Sequence, residues 1–349
     1  MLDKNAKIAK SSKKVLVTGG AGYIGSHTIV ELIDFGYEVV SVDNFVNSKP
    51  SVFADIKKIT DVSVRNYNVD LADYSKLTKV LSKEKNISAV IHFAALKSVP
   101  DSVANPLAYY ANNLGSTINI LKWCKENSVN HFVFSSSCSV YGENSTSQIT
   151  EETPCGKAFS PYAATKQIGE DILRDFSDSE KKFKSIALRY FNPAGGHESG
   201  IIGENACQNI VPIITQIASG KNKKPLQVFG NSYNTRDGSC VRDYVHVSDI
   251  AHAHVLALKA LKKSKEKFDI INLGAGAGTT VIELVKLFEK VISQKIPYKI
   301  VAPRAGDVPQ VYADNTKAQK VLGWKPKYSI EKMIETSWNR RHVLNNKKH

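Results

Sequence analysis

A glycine-rich turn near the start of the chain constrains the fold more than any other feature. An apolar run from Val15 to Thr18 leads into Gly19, and Gly22 and Gly25 open a helix-like stretch. Glycines at this spacing let a strand turn directly into a helix, and they let a pyrophosphate approach the helix N-terminus. The turn therefore predicts an α/β fold that binds a dinucleotide.

The next predicted strand ends in a carboxylate, Asp43. A carboxylate at this place accepts hydrogen bonds from both hydroxyls of an adenosine ribose, and it repels a 2′-phosphate. The sequence therefore predicts NAD rather than NADP as the cofactor.

Short apolar strands alternate with helical stretches up to Phe191, which is the pattern of a doubly wound parallel sheet. We expect a Rossmann-like α/β fold with a smaller C-terminal α/β substrate-binding lobe. The expected parts are a disordered tail (1–13), an NAD-binding domain (14–191, to which 244–275 return) and the lobe (192–243 and 276–349). The predicted strands are 15–18, 38–43, 64–70, 89–93, 132–136, 186–191 and 268–273, and the predicted helices are 24–35, 75–85, 106–126, 161–176, 248–261 and 280–292.

Composition narrows the partners and the compartment. The net charge is +14, but the lysines are scattered, which favours a solvated surface over a nucleic-acid site. No apolar run approaches the roughly 18 residues that span a membrane, and the polar N-terminus does not resemble a secretory signal. The five cysteines form no CxxC pair, so we expect free thiols, no metal and a cytoplasmic protein.

A tyrosine and a lysine lie one helical turn apart in Tyr162-Ala-Ala-Thr-Lys166. A cation beside a phenol lowers its pKa, which suits Tyr162 to act as a general base. Tyr328 and Lys332 share this spacing, but only Tyr162 lies within the predicted dinucleotide fold, so we interpret Tyr328 as structural. Ser137 follows a predicted strand, where its hydroxyl can pass a proton to Tyr162 or only cap the next turn.

Together with the glycine turn, these residues resemble the extended short-chain dehydrogenase/reductase superfamily, and in particular its UDP-glucose (UDP-galactose) 4-epimerases. The resemblance extends from about Lys14 to Trp338. The stretches that carry it are Val17-Thr-Gly-Gly-Ala-Gly-Tyr-Ile-Gly-Ser26, His92-Phe-Ala-Ala-Leu-Lys-Ser98, Phe134-Ser-Ser-Ser-Cys-Ser-Val-Tyr-Gly142, Arg189-Tyr-Phe-Asn-Pro193, Asp237-Gly-Ser-Cys-Val-Arg-Asp-Tyr-Val-His246 and Ala302-Pro-Arg-Ala-Gly-Asp307.

The resemblance implies a role for each matching residue, with Ser137, Tyr162 and Lys166 as the catalytic set. The NAD contacts that it implies are Gly19, Gly22, Tyr23, Ile24, Gly25, Asp43, Asn44, Asn47, Ser48, Asp70, Leu71, Phe93, Ala94, Lys97, Asn113, Tyr162, Lys166 and Tyr190. The UDP-hexose contacts that it implies are Lys97, Ser137, Tyr162, Asn192, Asn209, Ile210, Val228, Phe229, Arg242, Arg304, Asp307 and Val311.

The implied reaction inverts sugar C4 by transient oxidation, with Tyr162 as the base and the UDP held in place. A nucleotide-sugar dehydratase is the nearest alternative, but it would need an acid and a base where Cys138 and Ser139 stand. An NAD-sensing or RNA-binding protein is another, and it predicts the loss of catalytic residues that are present here.

The resemblance also bears on specificity and assembly. Val311 occupies a position where tyrosine restricts such epimerases to plain hexoses, so we expect UDP-GlcNAc and UDP-GalNAc to be substrates too. The helix predicted at 106–126 carries apolar side chains on more than one face. One face can pack on the sheet and another can meet a partner, which predicts a homodimer.

Overall fold

The computed structural model describes residues 13–142, 148–204, 209–304 and 307–346, with backbone only for 341–346. Apart from residue 13, the tail predicted at 1–13 lies outside the described residues. The strands are β1 (Lys14–Thr18), β2 (Glu38–Val42), β3 (Arg65–Tyr67), β4 (Ile87–His92), β5 (His131–Ser137), β6 (Gln148–Ile149), β7 (Lys184–Tyr190), β8 (Asn192–Ala194), β9 (Leu226–Phe229), β10 (Val241–His246), β11 (Phe268–Leu273), β12 (Gly278–Thr280), β13 (Tyr298–Val301) and β14 (Gln310–Ala313). The helices are α1 (Tyr23–Asp34), α2 (Ser51–Thr60), α3 (Tyr74–Leu81), α4 (Val99–Ala104), α5 (Pro106–Glu126), α6 (Pro161–Ser179), α7 (Ile210–Ala218), α8 (Val247–Leu261), α9 (Val281–Ile292), α10 (Thr316–Leu322) and α11 (Ile330–Asn346).

A seven-stranded parallel sheet forms the centre of the molecule, in the order β11-β7-β5-β4-β1-β2-β3. The strand order reverses between β1 and β4, and ligands bind outside the carboxyl ends of the strands at such a point. The predicted doubly wound, Rossmann-like sheet is confirmed.

Both faces of this sheet are covered, because successive residues of each strand point to opposite sides. Val15 and Val17 of β1 lie in a buried cluster with residues of α1 and α8. Leu16, between them, belongs to a second cluster with residues of α3, α5 and α6. Burial on both faces explains why the strands appear in the sequence as continuous apolar runs.

A smaller group of strands follows the main sheet. β10 pairs with β8 and β14 in parallel and with β12 in the antiparallel direction, and β14 also pairs with β6. β9 and β13 form a separate parallel pair. β11 returns to the main sheet beside β7, while the division of the chain into two domains stays a prediction.

Three further observations concern the described residues alone. Every helix among them is too short or too polar to cross a bilayer. Cys124, Cys138, Cys155 and Cys240 are free thiols, and Cys207 lies outside the described residues. No cluster of three His, Cys, Asp or Glu side chains in this part of the chain is suited to hold a metal ion.

Candidate active site

A cleft of about 760 Å³ lies at the carboxyl ends of the main-sheet strands. Its walls include the glycine turn after β1, the end of β2, the segment after β4, the end of β5 and the start of α6. Because the parallel strands all end at this edge of the sheet, residues from distant parts of the chain meet at one opening. An α/β sheet binds its ligands at this edge.

The glycines of the turn have two different surroundings. A Cβ on Gly25 would lie 2.3 Å from the carbonyl oxygen of Gly19, so this position allows the helix to pack closely against the strand. A Cβ on Gly22 would meet only that same oxygen, at 3.1 Å. No side chain caps the N-terminus of α1 at Gly22, so the turn leaves a cradle beside free helical N–H groups.

Asp43 is held rigidly at the wall of the cleft. Its carboxylate accepts hydrogen bonds from the backbone N–H of Ala21 at 2.9 Å and of Phe45 at 2.8 Å, and from the Ser48 hydroxyl at 2.9 Å. These bonds fix the end of β2 to the glycine turn. The cradle and the neighbouring carboxylate fit the pyrophosphate and the ribose of a dinucleotide.

Most of the predicted NAD residues lie around this cleft, but Asn113 does not line it. The Asn113 side chain is buried, accepts from the backbone N–H of Leu96 at 2.8 Å, and donates to Leu96 O at 3.0 Å and to Thr165 Oγ1 at 3.1 Å. These bonds occupy both ends of its amide. Asn113 thus holds the segment after β4 in place, and its direct contact with the cofactor stays a prediction.

Ser137, Tyr162 and Lys166 meet at one end of the cleft. Ser137 ends β5, whereas Tyr162 and Lys166 lie in the first two turns of α6, which Ser160 caps by accepting from the Ala163 N–H at 3.2 Å. Lys166 is 4% exposed. Its ammonium donates to the Ser135 carbonyl at 2.6 Å.

The protonation of this cluster differs from the expectation. The Lys166 ammonium lies 5.9 Å from the centre of the Tyr162 ring, and its hydrogen bond goes to the Ser135 carbonyl. Burial raises the pKa of Tyr162 to about 12, although a hydrogen bond with Ser137 opposes this. Burial also lowers the pKa of Lys166 to about 8, against the effect of Glu170. The sequence predicts that the Lys166 cation lowers the pKa of Tyr162. In the structure, burial of the phenol has the larger effect and raises that pKa.

Two predicted substrate residues at the cleft are joined by a third residue. The Lys97 ammonium and the Asn209 amide both donate to Oε1 of Glu204, at 3.1 and 2.7 Å. Burial raises the pKa of Glu204. Sequence reasoning missed Glu204, because nothing in the local pattern shows that it faces Lys97.

Two more predicted substrate residues, Asn192 and Ile210, also line the cleft. The other six form a neighbouring cluster that does not line it: Val228, Phe229, Arg242, Arg304, Asp307 and Val311. Arg242 donates to Asp307 at 3.1 Å, and the Arg304 guanidinium stacks on the Phe229 ring at 3.7 Å from its centre. Tyr244, two residues after Arg242 on the same face of β10, does line the cleft, so the two groups are continuous along this strand. The other members of the cluster are Val228, which is buried, and Val311, which pairs with Arg242 in the sheet register.

Glu170 and Arg189, both buried behind the cleft, were not predicted as site residues. Glu170 lies one turn after Lys166 and binds Arg189 of β7. The helical repeat from Tyr162 through Lys166 leads to Glu170 and was a usable signal. The contact between Glu170 and Arg189 joins two distant elements, so no local pattern in the sequence indicates it.

The family model described as GDP-mannose 4,6 dehydratase matches residues 16–337. The UDP-glucose 4-epimerase of Haemophilus influenzae is 46% identical over 330 residues, which cover 93% of this chain and 96% of that protein. The chain belongs to the UDP-glucose 4-epimerase family.

Solved structures of UDP-glucose 4-epimerases agree with this assignment. The enzyme of Stenotrophomonas maltophila, with bound NAD and formylated UDP-arabinopyranose, is 39% identical with a TM-score of 0.92 and covers 96% of this chain and 99% of its own. The enzyme of Bifidobacterium longum, in complex with NAD+ and UDP, is 43% identical with a TM-score of 0.90 and covers 95% and 99%. The resemblance seen in the sequence is confirmed.

Proposed function

We propose that this chain is an NAD-dependent epimerase that interconverts UDP-glucose and UDP-galactose by inverting sugar C4. The observation that carries this function is the meeting of Ser137, Tyr162 and Lys166 at the end of a cleft that the glycine turn and Asp43 also line. The family assignment supplies the substrate class.

Bound NAD supplies a reversible two-electron oxidation at sugar C4. The turn at Gly22 would hold its pyrophosphate, and Asp43 would hold its adenosine ribose. Tyr162 accepts the proton of the 4-hydroxyl and returns it after the sugar has turned over, while Ser137 donates a hydrogen bond to the same oxygen. To accept this proton, Tyr162 must act as the phenolate. The Lys166 ammonium, fixed to the Ser135 carbonyl and 5.9 Å from the centre of the Tyr162 ring, stabilises that charged form.

The sugar must turn within the pocket while the nucleotide stays bound. In this proposal Arg242 and Arg304 bind the diphosphate, since guanidinium groups suit bidentate binding of phosphates. The stacking of Arg304 on Phe229 supports this, because it holds one guanidinium in advance. Binding energy gained on the distant UDP anchors the substrate and leaves the hexose free to turn.

A dehydratase reaction is not supported by the residues after Ser137. Burial raises the pKa of the Cys138 thiol to about 12, so it stays protonated near neutral pH and serves as neither an acid nor a base there. Ser139 is a hydroxyl with an equally unsuitable pKa.

Incubation of the purified protein with UDP-galactose, without added NAD, tests this function. Epimerisation consumes no net oxidant, so formation of UDP-glucose is expected. No conversion by protein that carries stoichiometric NAD would contradict the proposal.

We also propose activity on UDP-GlcNAc and UDP-GalNAc, with Val311 as the residue that leaves room for the N-acetyl group. Val311 and Cys138 pack on one apolar cluster that includes Phe191, and both Cys138 and Phe191 line the cleft. The neighbouring Tyr312 lies on the opposite face of β14, where its ring is 3.4 Å from the position of a Cβ on Gly278. A small side chain therefore occupies the place where a ring would exclude an N-acetyl group.

The variant Val311→Tyr tests this specificity, with Val321→Tyr on the exposed face of α10 as the matched control. We expect Val311→Tyr to lose kcat/KM for UDP-GalNAc selectively and Val321→Tyr to resemble the wild type. Undetectable turnover of UDP-GalNAc by the wild type would overturn the proposal.

A homodimer is proposed from an exposed apolar surface on α5 and α6. Leu107 is 81% exposed and Ile118 is 50% exposed on α5, and Ile168 is exposed on α6. Tyr109, Ile120 and Trp123 occupy the opposite, buried side of α5. Light scattering that gives a single 38.4 kDa particle at micromolar concentration would contradict the dimer.

The free thiols support a reducing, cytoplasmic location.

A further inference from the structure

A buried ion pair lies directly behind the reacting groups. Glu170 of α6 accepts two hydrogen bonds from Arg189 of β7, at 2.9 Å to Oε1 and 2.6 Å to Oε2. Both side chains are 3% exposed. The Ser136 hydroxyl of β5 donates to the same carboxylate at 2.5 Å. One carboxylate thus joins a helix to two neighbouring strands.

Two of the three elements that Glu170 joins, α6 and β5, carry the reacting groups. Ser136 lies between Ser135, whose carbonyl accepts from Lys166, and Ser137, which lines the cleft. Glu170 is one helical turn after Lys166 on α6. A shift of the helix along β5 would therefore move Tyr162 and Lys166 relative to Ser137.

Packing beside this carboxylate is tight enough to transmit such a shift. A Cβ on Gly169 would lie 2.7 Å from Cζ of Phe134, so α6 and β5 are in close contact one residue before Glu170. The Lys166 ammonium lies 4.9 Å from the centre of the same Phe134 ring. Close-packed interiors respond to small displacements because they have little free volume.

A buried ion pair is a poor device for stability alone, because two apolar side chains of similar volume often serve equally well or better. We propose that Glu170, bound to Arg189 and Ser136, is a positioning residue that sets the register between α6 and the end of β5 and so the spacing of Tyr162 and Lys166 from Ser137. This inference rests on the proposed epimerase function.

The charged and titratable groups around Lys166 determine how the loss of the Glu170 charge changes the pH dependence of kcat. Tyr162 and Glu170 neighbour it on α6, and His92 of β4 interacts with its charge. From β7, Arg189 binds Glu170 and Tyr190 interacts with Tyr162. Among these, Glu170 is the group that raises the pKa of Lys166 against the effect of burial. Removing its charge is expected to move the alkaline limb of the kcat profile to lower pH.

The sharpest test compares two buried serines that each link α6 to a strand. Ser136 bonds Glu170 at the catalytic end of the helix, and Ser185 of β7 bonds Ser177 at its other end, at 2.8 Å. Both serines are 1% exposed. The variants Ser136→Ala and Ser185→Ala therefore remove similar buried hydrogen bonds at different distances from the site.

We expect both variants to lower the Tm, Ser136→Ala by more because its partner is a carboxylate. We expect about a tenfold or greater loss of kcat only in Ser136→Ala, because misplacement of reacting groups is costly. The KM for UDP-galactose and the NAD content should stay near the wild-type values. Equal kcat in the two variants would overturn the positioning role. Failure of the wild type to convert UDP-galactose would instead refute the epimerase function.

Glu170→Gln gives a second readout through the pH profile, and Glu170→Leu/Arg189→Met covers the case in which the single variant does not fold. The double variant replaces the ion pair by apolar groups and is expected to stay folded. We expect a loss of kcat in the folded double variant. Wild-type kcat and an unshifted pH profile would overturn the proposal.

Discussion

Alanine substitutions at Gly22 and Gly25 in the first turn are expected to have different effects, one on cofactor binding and the other on packing. Changing Gly25 to alanine places a methyl group 2.3 Å from Gly19 O and 3.0 Å from Gly20 Cα, and both contacts are with backbone. Changing Gly22 to alanine brings a single contact at 3.1 Å, and its φ of −70° suits any residue. The same methyl group is therefore a steric conflict at one position and an obstacle to a ligand at the other.

The magnitudes follow from these contacts. Overpacking of this kind costs about 1–3 kcal/mol, and rigid backbone on both sides puts Gly25→Ala at the upper end or above. Gly22→Ala needs a shift of only a few tenths of an ångström, so its Tm should stay within about 4 °C of the wild type. Each hydrogen bond lost to a charged pyrophosphate is worth about 1.5–3 kcal/mol, which is about 10- to 150-fold in NAD affinity.

Calorimetry gives the Tm of each variant, and titration of the apoprotein with NAD gives its affinity. We expect Gly22→Ala to be stable and weak in NAD binding, and Gly25→Ala to be unstable. Wild-type NAD affinity in Gly22→Ala would refute the placement of the pyrophosphate against this turn. A wild-type Tm in Gly25→Ala would refute the packing argument.

Three further changes test the site and its surroundings. Tyr162→Phe should retain NAD and lose about 10²- to 10⁴-fold in kcat, and near-normal turnover would contradict its role as the base. Apoprotein reconstituted with NADP should be much less active than with NAD, because a 2′-phosphate would meet the Asp43 carboxylate. Burial raises the pKa of Glu84, but hydrogen bonds from Lys14, Tyr67 and Arg65 outweigh it and lower the pKa to about 2. Glu84 therefore stabilises the fold above its unfolded pKa of about 4.5, and the Tm deficit of Glu84→Gln should shrink as the pH falls from there towards 2.

The main sheet was predictable because its signals are local. The predicted helix at 106–126 matches α5 at both ends, and Pro106 at its first turn marks the beginning. The helix α2 (Ser51–Thr60) was not predicted, although apolar residues recur in it at helical spacing. Ile56 is buried in the cluster with α1, and Val52, Phe53 and Ile59 pack against that cluster. Packing, rather than propensity, stabilises this helix.

The site was predictable where a motif carries the chemistry and unpredictable where two distant residues share it. The bonds of the Asn113 amide with Leu96 and Thr165 could not be read from the sequence, because they join different elements. The pairings of Arg242 with Asp307 and of Glu170 with Arg189 bring together different elements, and only the folded chain shows them. The raised pKa of Tyr162 likewise depends on burial, which the spacing to Lys166 does not reveal.

The order of the strands has a consequence for synthesis on the ribosome. β7 borders β11, and α8 packs on α1 over one face of the sheet, yet α8 and β11 follow the first 190 residues by a long stretch of chain. A nascent chain that ends before residue 247 lacks both. Until translation passes residue 273, the edge of β7 in the emerging sheet is unpaired. That edge can pair with a strand of another nascent chain on the same polysome. We therefore expect newly made chains to require chaperone protection over this interval, whereas the finished protein does not.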